Sequence, residues 1–213
     1  MKNLIIPYMP ALEMLDASSV IDVIERKTQR HYIDQVNWAS YPYMPIASFN
    51  IARSDKNLYI YFYSIANSLR AVYEKDGSPV YQDSCMEFFV KRPTDEHYIN
   101  FEFNCIGTCD ASFRLSREEK TDLTPDQLAS IRRYPSLPKV SFKEKAGFHG
   151  WSLLVIIPFE LISLEKNHLP EKLLGNFYKC ADATASPHYL SWSPIETEQP
   201  DFHRPEFFGE LMF

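Results

Sequence analysis

Runs of about eight residues with alternating apolar and polar positions recur along the chain, separated by turn residues. PIASFNIA (45–52), LYIYFYSI (58–65), VYQDSCMEFFV (80–90) and HYINFEFNCIG (97–107) each read as strands. In the second, Leu58, Ile60 and Phe62 share one face, while Tyr59, Tyr61 and Tyr63 share the other. In the third, Ser84, Met86, Phe88 and Val90 suit a core, and Tyr81, Asp83, Cys85, Glu87 and Phe89 lie opposite. In the fourth, Phe101, Phe103 and Cys105 point inward and Asn100, Glu102 and Asn104 outward. Strands resume with PKVSFKEK, with GWSLLVIIP, which passes into a short helical turn at Pro158, and, beyond LLGNFYKCAD, with HYLSWSPI. The ending PDFHRPEFFGELMF reads as a loop followed by a short last strand. Two helices interrupt this pattern. ASSVIDVIERK (17–27) carries Val20, Val23 and Ile24 at helical spacing, and TPDQLASIRR opens with Thr124 as N-cap, Pro125 at the first position and Gln127 completing a capping box. Many short strands with a few short helices predict an all-β chain: an antiparallel β-sandwich, immunoglobulin-like or jelly-roll-like, forming a single domain over residues 1–213.

Composition narrows the partners. Hydrophobic residues make up 45% of the chain, enough for a sizeable core, and aromatics 15%, which suits sheet surfaces and stacking sites. The net charge of -6, with no basic run, argues against nucleic acid and against an anionic membrane surface. No apolar run approaches the length of a membrane span, and the apolar stretch of MKNLIIPYMP is too short for a signal sequence. The expectation is a cytoplasmic protein as the chain stands, or a periplasmic or secreted one if a leader has been trimmed from it. Cys85, Cys105, Cys109 and Cys180 form no CxxC pair and have no zinc-finger spacing to a His, which leaves their disulfide state open.

The candidate chemistry centres on carboxylates and rings. Along a strand Asp83 and Glu87 stand roughly 13 Å apart, beyond the roughly 5 to 9.5 Å of glycosidase pairs. A turn or cap at the strand's start suits Asp83 better. Glu87 and Glu102 would meet if their strands were neighbours, either as an acid/base dyad or as acceptors in a polar binding face. The six histidines form no HExxH motif, although His188 and His203 both lie near the C-terminal aromatic loop. No GxSxG elbow is present, and Cys85 and Cys105 read as structural. Trp38, Trp151 and Trp192 sit in apolar contexts that suit core packing. Tyr81 follows a Gly-Ser-Pro turn (77–79), and Phe202 lies in a proline-bounded loop beside Asp201, His203 and Arg204. Rings flanked by polar groups suit a pyranose, whose C–H faces stack while its hydroxyls seek donors and acceptors. The same two rings could equally plug the end of the sandwich.

The succession LYIYFYSI, SPVYQDSCMEFFV, YINFEFNCIGT, HYLSWSPI and DFHRPEFFGELMF resembles the family 9 carbohydrate-binding modules, in particular the family 9-like proteins of Bacteroidetes, from about Trp38 to Phe213. The most specific elements are the aromatic-x-Asp-Ser-x-x-Glu strand and the terminal Pro-x-x-Phe-Gly segment, Pro205 to Gly209. The resemblance implies a sandwich that binds a mono- or oligosaccharide without catalysis, clamping the sugar between two rings. Tyr81 and Phe202 fall at the ring positions, where the family typically has tryptophans. Glu87 matches the sugar-contacting Glu, and Glu102 and Asn104 match a polar pair that is typically Arg and Asn. Arg to Glu reverses a charge in the implied site, so the family's ligand preference does not transfer. The resemblance also implies structural calcium in some members and association with a glycoside hydrolase partner. The alternatives to sugar binding are a glycoside hydrolase or accessory enzyme using Glu87 and Glu102, and a sandwich interaction module without sugar affinity.

Overall fold

The computed structural model describes residues 2–213. Fourteen strands and two α-helices follow one another as β1 (Asn3–Ile5), α1 (Ala17–Lys27), β2 (Arg30–Tyr32), β3 (Gln35–Val36), β4 (Ile46–Arg53), β5 (Asn57–Ala71), β6 (Cys85–Lys91), β7 (Tyr98–Asn104), β8 (Cys109–Arg114), β9 (Lys120–Asp122), α2 (Pro125–Ser130), β10 (Arg132–Pro135), β11 (Phe142–Pro158), β12 (Lys172–Cys180), β13 (Tyr189–Ser191) and β14 (Gly209–Met212). They build the β-sandwich that the alternation predicts. The larger sheet has the order β1-β14-β12-β6-β7-β8-β9, with β13 on β12 and β3 on β13, and the smaller has the order β10-β11-β5-β4-β2. Pairing is antiparallel except that β1 runs parallel to β14.

The inward faces are those read from the sequence. Leu58, Ile60 and Phe62 of β5, Met86, Phe88 and Val90 of β6, and Phe101 and Phe103 of β7 share one buried cluster between the sheets. Phe49 of β4 stacks on Phe177 of β12 at 3.6 Å between ring centroids, and Phe177 on Phe88 at 4.6 Å, so a column of rings ties the two sheets together. Each such side chain, fully buried, contributes roughly 1.5–3 kcal/mol. Trp151 and Trp192 belong to this core.

The outward faces are drier than simple alternation suggests. On the smaller sheet α1 lays Val20 and Ile24 over Tyr59, Tyr61, Leu154 and Ile156. Asp16 caps that helix by accepting from the backbone of Ser19, and α2 carries the Thr124–Gln127 capping box. On the larger sheet Trp38, Ile195 and Phe208 cover Phe89, Tyr98 and Tyr178. Trp38 is thus buried, but in this outer layer.

Two strand boundaries differ from the sequence reading. Residues 80–82 form a 3-10 turn and β6 begins at Cys85, so Tyr81 and Asp83 precede the strand. PKVSFKEK and GWSLLVIIP are not two strands: the second half of the first, from Phe142, joins the second in the 17-residue β11. Its register against β5 shifts between Ala146 and His149, where Gly147 has a φ of +110° that side-chain-bearing residues rarely adopt. All four cysteines are buried and free.

Candidate functional site

The outer face of β6, β7 and β8 carries a row of acids. Glu87 stands directly opposite Glu102, and Glu102 directly opposite Asp110. Facing residues of this kind bring their Cβ atoms to roughly 5 Å, so three carboxyls line up across three strands. Glu87 and Glu102 are buried, at 2% and 5% exposure. They form the floor of a cavity of about 420 Å³ whose walls include Tyr81, Phe202, His203 and Asp182.

Both rings are held by backbone. The turn that carries Tyr81 is fastened to the end of β12, because its carbonyl accepts from the amide of Asp182 at 3.2 Å and from the thiol of Cys180 at 3.5 Å. The Tyr81 side chain remains 39% exposed. Phe202 stacks almost parallel on the buried Tyr178, 4.2 Å between centroids and 13° between planes, while the Tyr178 hydroxyl donates to the Phe202 carbonyl at 3.1 Å. Trp38 tilts against Phe202 at 6.0 Å, and its Nε1 donates to the Thr197 carbonyl. The loop ring is therefore backed by the outer aromatic layer.

The carboxyls are bound unequally. Glu102 Oε1 accepts from Asn100 Nδ2 at 2.8 Å, and Asn100 Oδ1 in turn accepts from Arg114 Nε at 2.7 Å. Glu102 Oε2 is buried without a hydrogen-bond partner. Glu87 Oε1 accepts the Cys180 thiol at 3.0 Å. Burial, reinforced by the neighbouring Glu102, holds the Glu87 pKa well above the usual carboxylate range. Burial and Asp110 push Glu102 up to about 7, and burial raises Asp182 to about 6. His203 moves the other way, to about 3, through burial and the positive charges of Arg114, Arg117 and Lys120, and it shares a hydrogen bond with the Tyr98 hydroxyl.

The family model of carbohydrate-binding family 9 matches residues 18–213. A crystal structure of a candidate carbohydrate-binding protein from Bacteroides uniformis ATCC 8492 superposes with a TM-score of 0.91 at 33% identity, covering 100% of this chain and 99% of that one. The chain belongs to carbohydrate-binding family 9. Two structures of a family 9 module from Caldicellulosiruptor kristjanssonii share the fold at 13% identity. The one in complex with glucose has a TM-score of 0.66, covering 99% of this chain and 95% of that one. The one in complex with cellotriose has a TM-score of 0.61, covering 99% and 93%. Among curated proteins, none matches the chain.

Of the five residues proposed from this family 9 sequence, Tyr81, Glu87, Glu102 and Phe202 line one cavity, and Asn104 does not. Asn104 is fully buried at the end of β7. Its amide donates to the Tyr73 carbonyl and to Asp83, and its Oδ1 accepts from the amides of Ile106 and Thr108. Asp83 is equally structural, accepting from the backbone of Val72 at 2.9 Å and Tyr73 at 3.1 Å. His188 is bonded to Lys179 and Ser186, whereas His203 pairs with Tyr98. Sequence reasoning missed Asp110, Arg114 and Asp182. CDASFR alternates in a way that places Asp110, Ser112 and Arg114 together, but the facing of Asp110 and Glu102 depends on strand register.

Among the described residues one group brings three metal-capable donors within 4.8 Å of one another: Cys85, Glu87 and Cys180. Two sulfurs and a carboxyl do not fit calcium, which takes six to eight oxygens. No helix among the described residues is long and apolar enough to cross a membrane.

Proposed function

We propose that this family 9 protein binds a mono- or oligosaccharide in the cavity of Tyr81, Phe202, Glu87 and Glu102, and acts by binding alone. The observation that carries the reading is the meeting of two backbone-anchored rings and a carboxyl floor in one cavity of about 420 Å³. Such a cavity suits one or two sugar rings, with apolar C–H faces on the aromatic walls and hydroxyls on the carboxyl oxygens. The complexes of the Caldicellulosiruptor module with glucose and cellotriose support the same ligand class. Glu87 and Glu102 stand side by side on one sheet surface, whereas glycoside hydrolysis uses carboxyls flanking the scissile bond. That difference favours binding over catalysis.

Calorimetric titration with a panel of mono- and oligosaccharides tests the proposal. Binding of at least one sugar is expected, weakened about tenfold or more by Tyr81→Ala and by Phe202→Ala, in line with about 1–3 kcal/mol per stacked ring. Absence of binding across the panel, or affinities untouched by both substitutions, would overturn it.

A further inference from the structure

The charges around the cavity do not balance. Its lining includes Glu87, Glu102, Asp110, Asp182 and Asp201 against Arg114, Arg117 and Lys120. Among the described residues none of these cations forms an ion pair with Glu87, Glu102, Asp110 or Asp182. Lys120 pairs with Asp122 at 2.7 Å, and Arg117 lies 3.8 Å from Asp201. Arg114 directs two of its five N–H donors to Asn100 Oδ1 and the Arg117 carbonyl, and it forms no ion pair with the row of acids. Glu87, Glu102, Asp110 and Asp182 are left without a direct ion pair among the described residues, and His203 is neutral by burial.

A second observation is independent of this count. Glu102 is 95% buried and lines the cavity, yet its Oε2 has no donor, while its Oε1 is occupied by Asn100. A buried carboxyl oxygen without a partner costs of the order of 1–3 kcal/mol, and more if it is charged. Without a ligand the least costly remedy is a proton on one of Glu87 and Glu102, since two facing carboxylates resist joint ionisation. A ligand that carries its own positive charge is a better remedy, because it satisfies the oxygen and neutralises the row together.

We propose that the preferred ligand is an amino sugar with a free, protonated amine, whose ammonium group meets the row of Glu87, Glu102 and Asp110. This rests on the carbohydrate reading above and narrows it. A neutral sugar hydroxyl can donate one hydrogen bond to Glu102. An ammonium donates up to three and makes each charge-assisted. Binding then expels the proton held by the carboxyl pair, which passes to solvent while the ligand keeps its charge.

The test titrates glucosamine, galactosamine and mannosamine beside glucose, galactose and mannose, with the N-acetylated amino sugars as uncharged controls of similar shape. Calorimetry in buffers of different ionisation enthalpy at pH 6.5–7 reads affinity and proton release together. At least one amino sugar is expected to bind about tenfold or more tighter than both its parent and its N-acetyl form, with release of a proton. Glu102→Gln should weaken the amino sugar more than its neutral parent and so remove the preference, and Asp110→Asn, at a partly exposed position, should reduce it. Neutral sugars binding as tightly as amino sugars, or a preference that survives both substitutions, would overturn this inference and leave carbohydrate binding standing. No binding of any sugar would overturn both.

Discussion

At the scale of single residues, apparently equivalent acids in one short stretch have different work. Asp83 and Glu87 both come from VYQDSCMEFFV, but Asp83 lies before β6 and is fully enclosed. Its carboxylate collects the amides of Val72 and Tyr73 and the side chain of Asn104, joining the end of β5 to the β7–β8 turn. Arg70 lies 3.5 Å away. Asp83→Ala strips all of these donors of their acceptor and is expected to cost roughly 3 kcal/mol of stability, read as a lower urea midpoint. A midpoint within experimental error of the parent would contradict the structural role given to Asp83. Glu87, four residues on, has Cys180 as its bonded neighbour and the cavity in front of it.

At the scale of elements, the short strands at the chain ends decide how the larger sheet is finished. β1 has only three residues, yet Leu4 is buried in the central cluster, and β1 lies parallel along β14. Gly209, the first residue of β14, is packed so closely that an added Cβ would come within 2.4 Å of the Trp192 ring. The loop that carries Phe202 leads through the 3-10 turn Pro205–Phe207 into β14, so this edge also anchors one wall of the cavity. Leu4→Ala is expected to lose roughly 2–5 kcal/mol through the removed contacts and the cavity left behind, measured by chemical denaturation. A loss under about 0.5 kcal/mol would mean that β1 is a dispensable appendage.

At the scale of the whole molecule, the buried acids and histidines give stability an opposed dependence on pH. Glu102 has its pKa raised from 4.5 to about 7 on folding, so the folded chain holds the proton more tightly than the unfolded one. Its contribution is therefore greatest below about pH 4.5 and is lost as pH rises to about 7. His188 and His203, lowered from 6.5 to about 3, act in reverse and destabilise the fold as pH falls through that window. Glu102→Gln keeps an acceptor for Asn100 and removes the buried charge. Relative to the parent it is expected to gain up to about 3 kcal/mol at pH 8, with the gain vanishing near pH 4.5. Denaturation midpoints at several pH values check this, and a difference that does not vary with pH would refute the linkage.

The alternation of β4 to β7, the apolar spacing of α1, the capping box of α2 and the motif residues around Tyr81, Glu87 and Pro205–Gly209 were legible in the sequence. Each depends on local periodicity or on side-chain chemistry within a few positions. They were enough for the sandwich, its inner face and four residues that line the cavity. Asn104 was misplaced because alternation gives a residue's side of a sheet but not its neighbours, and at the end of β7 those neighbours are backbone groups of the turn and Asp83. The opposed acids, the unpartnered oxygen of Glu102 and its lack of an ion pair depend on register across β6, β7 and β8. Register is a relation between segments distant in sequence, set by how the whole core packs, and only the tertiary structure decided it.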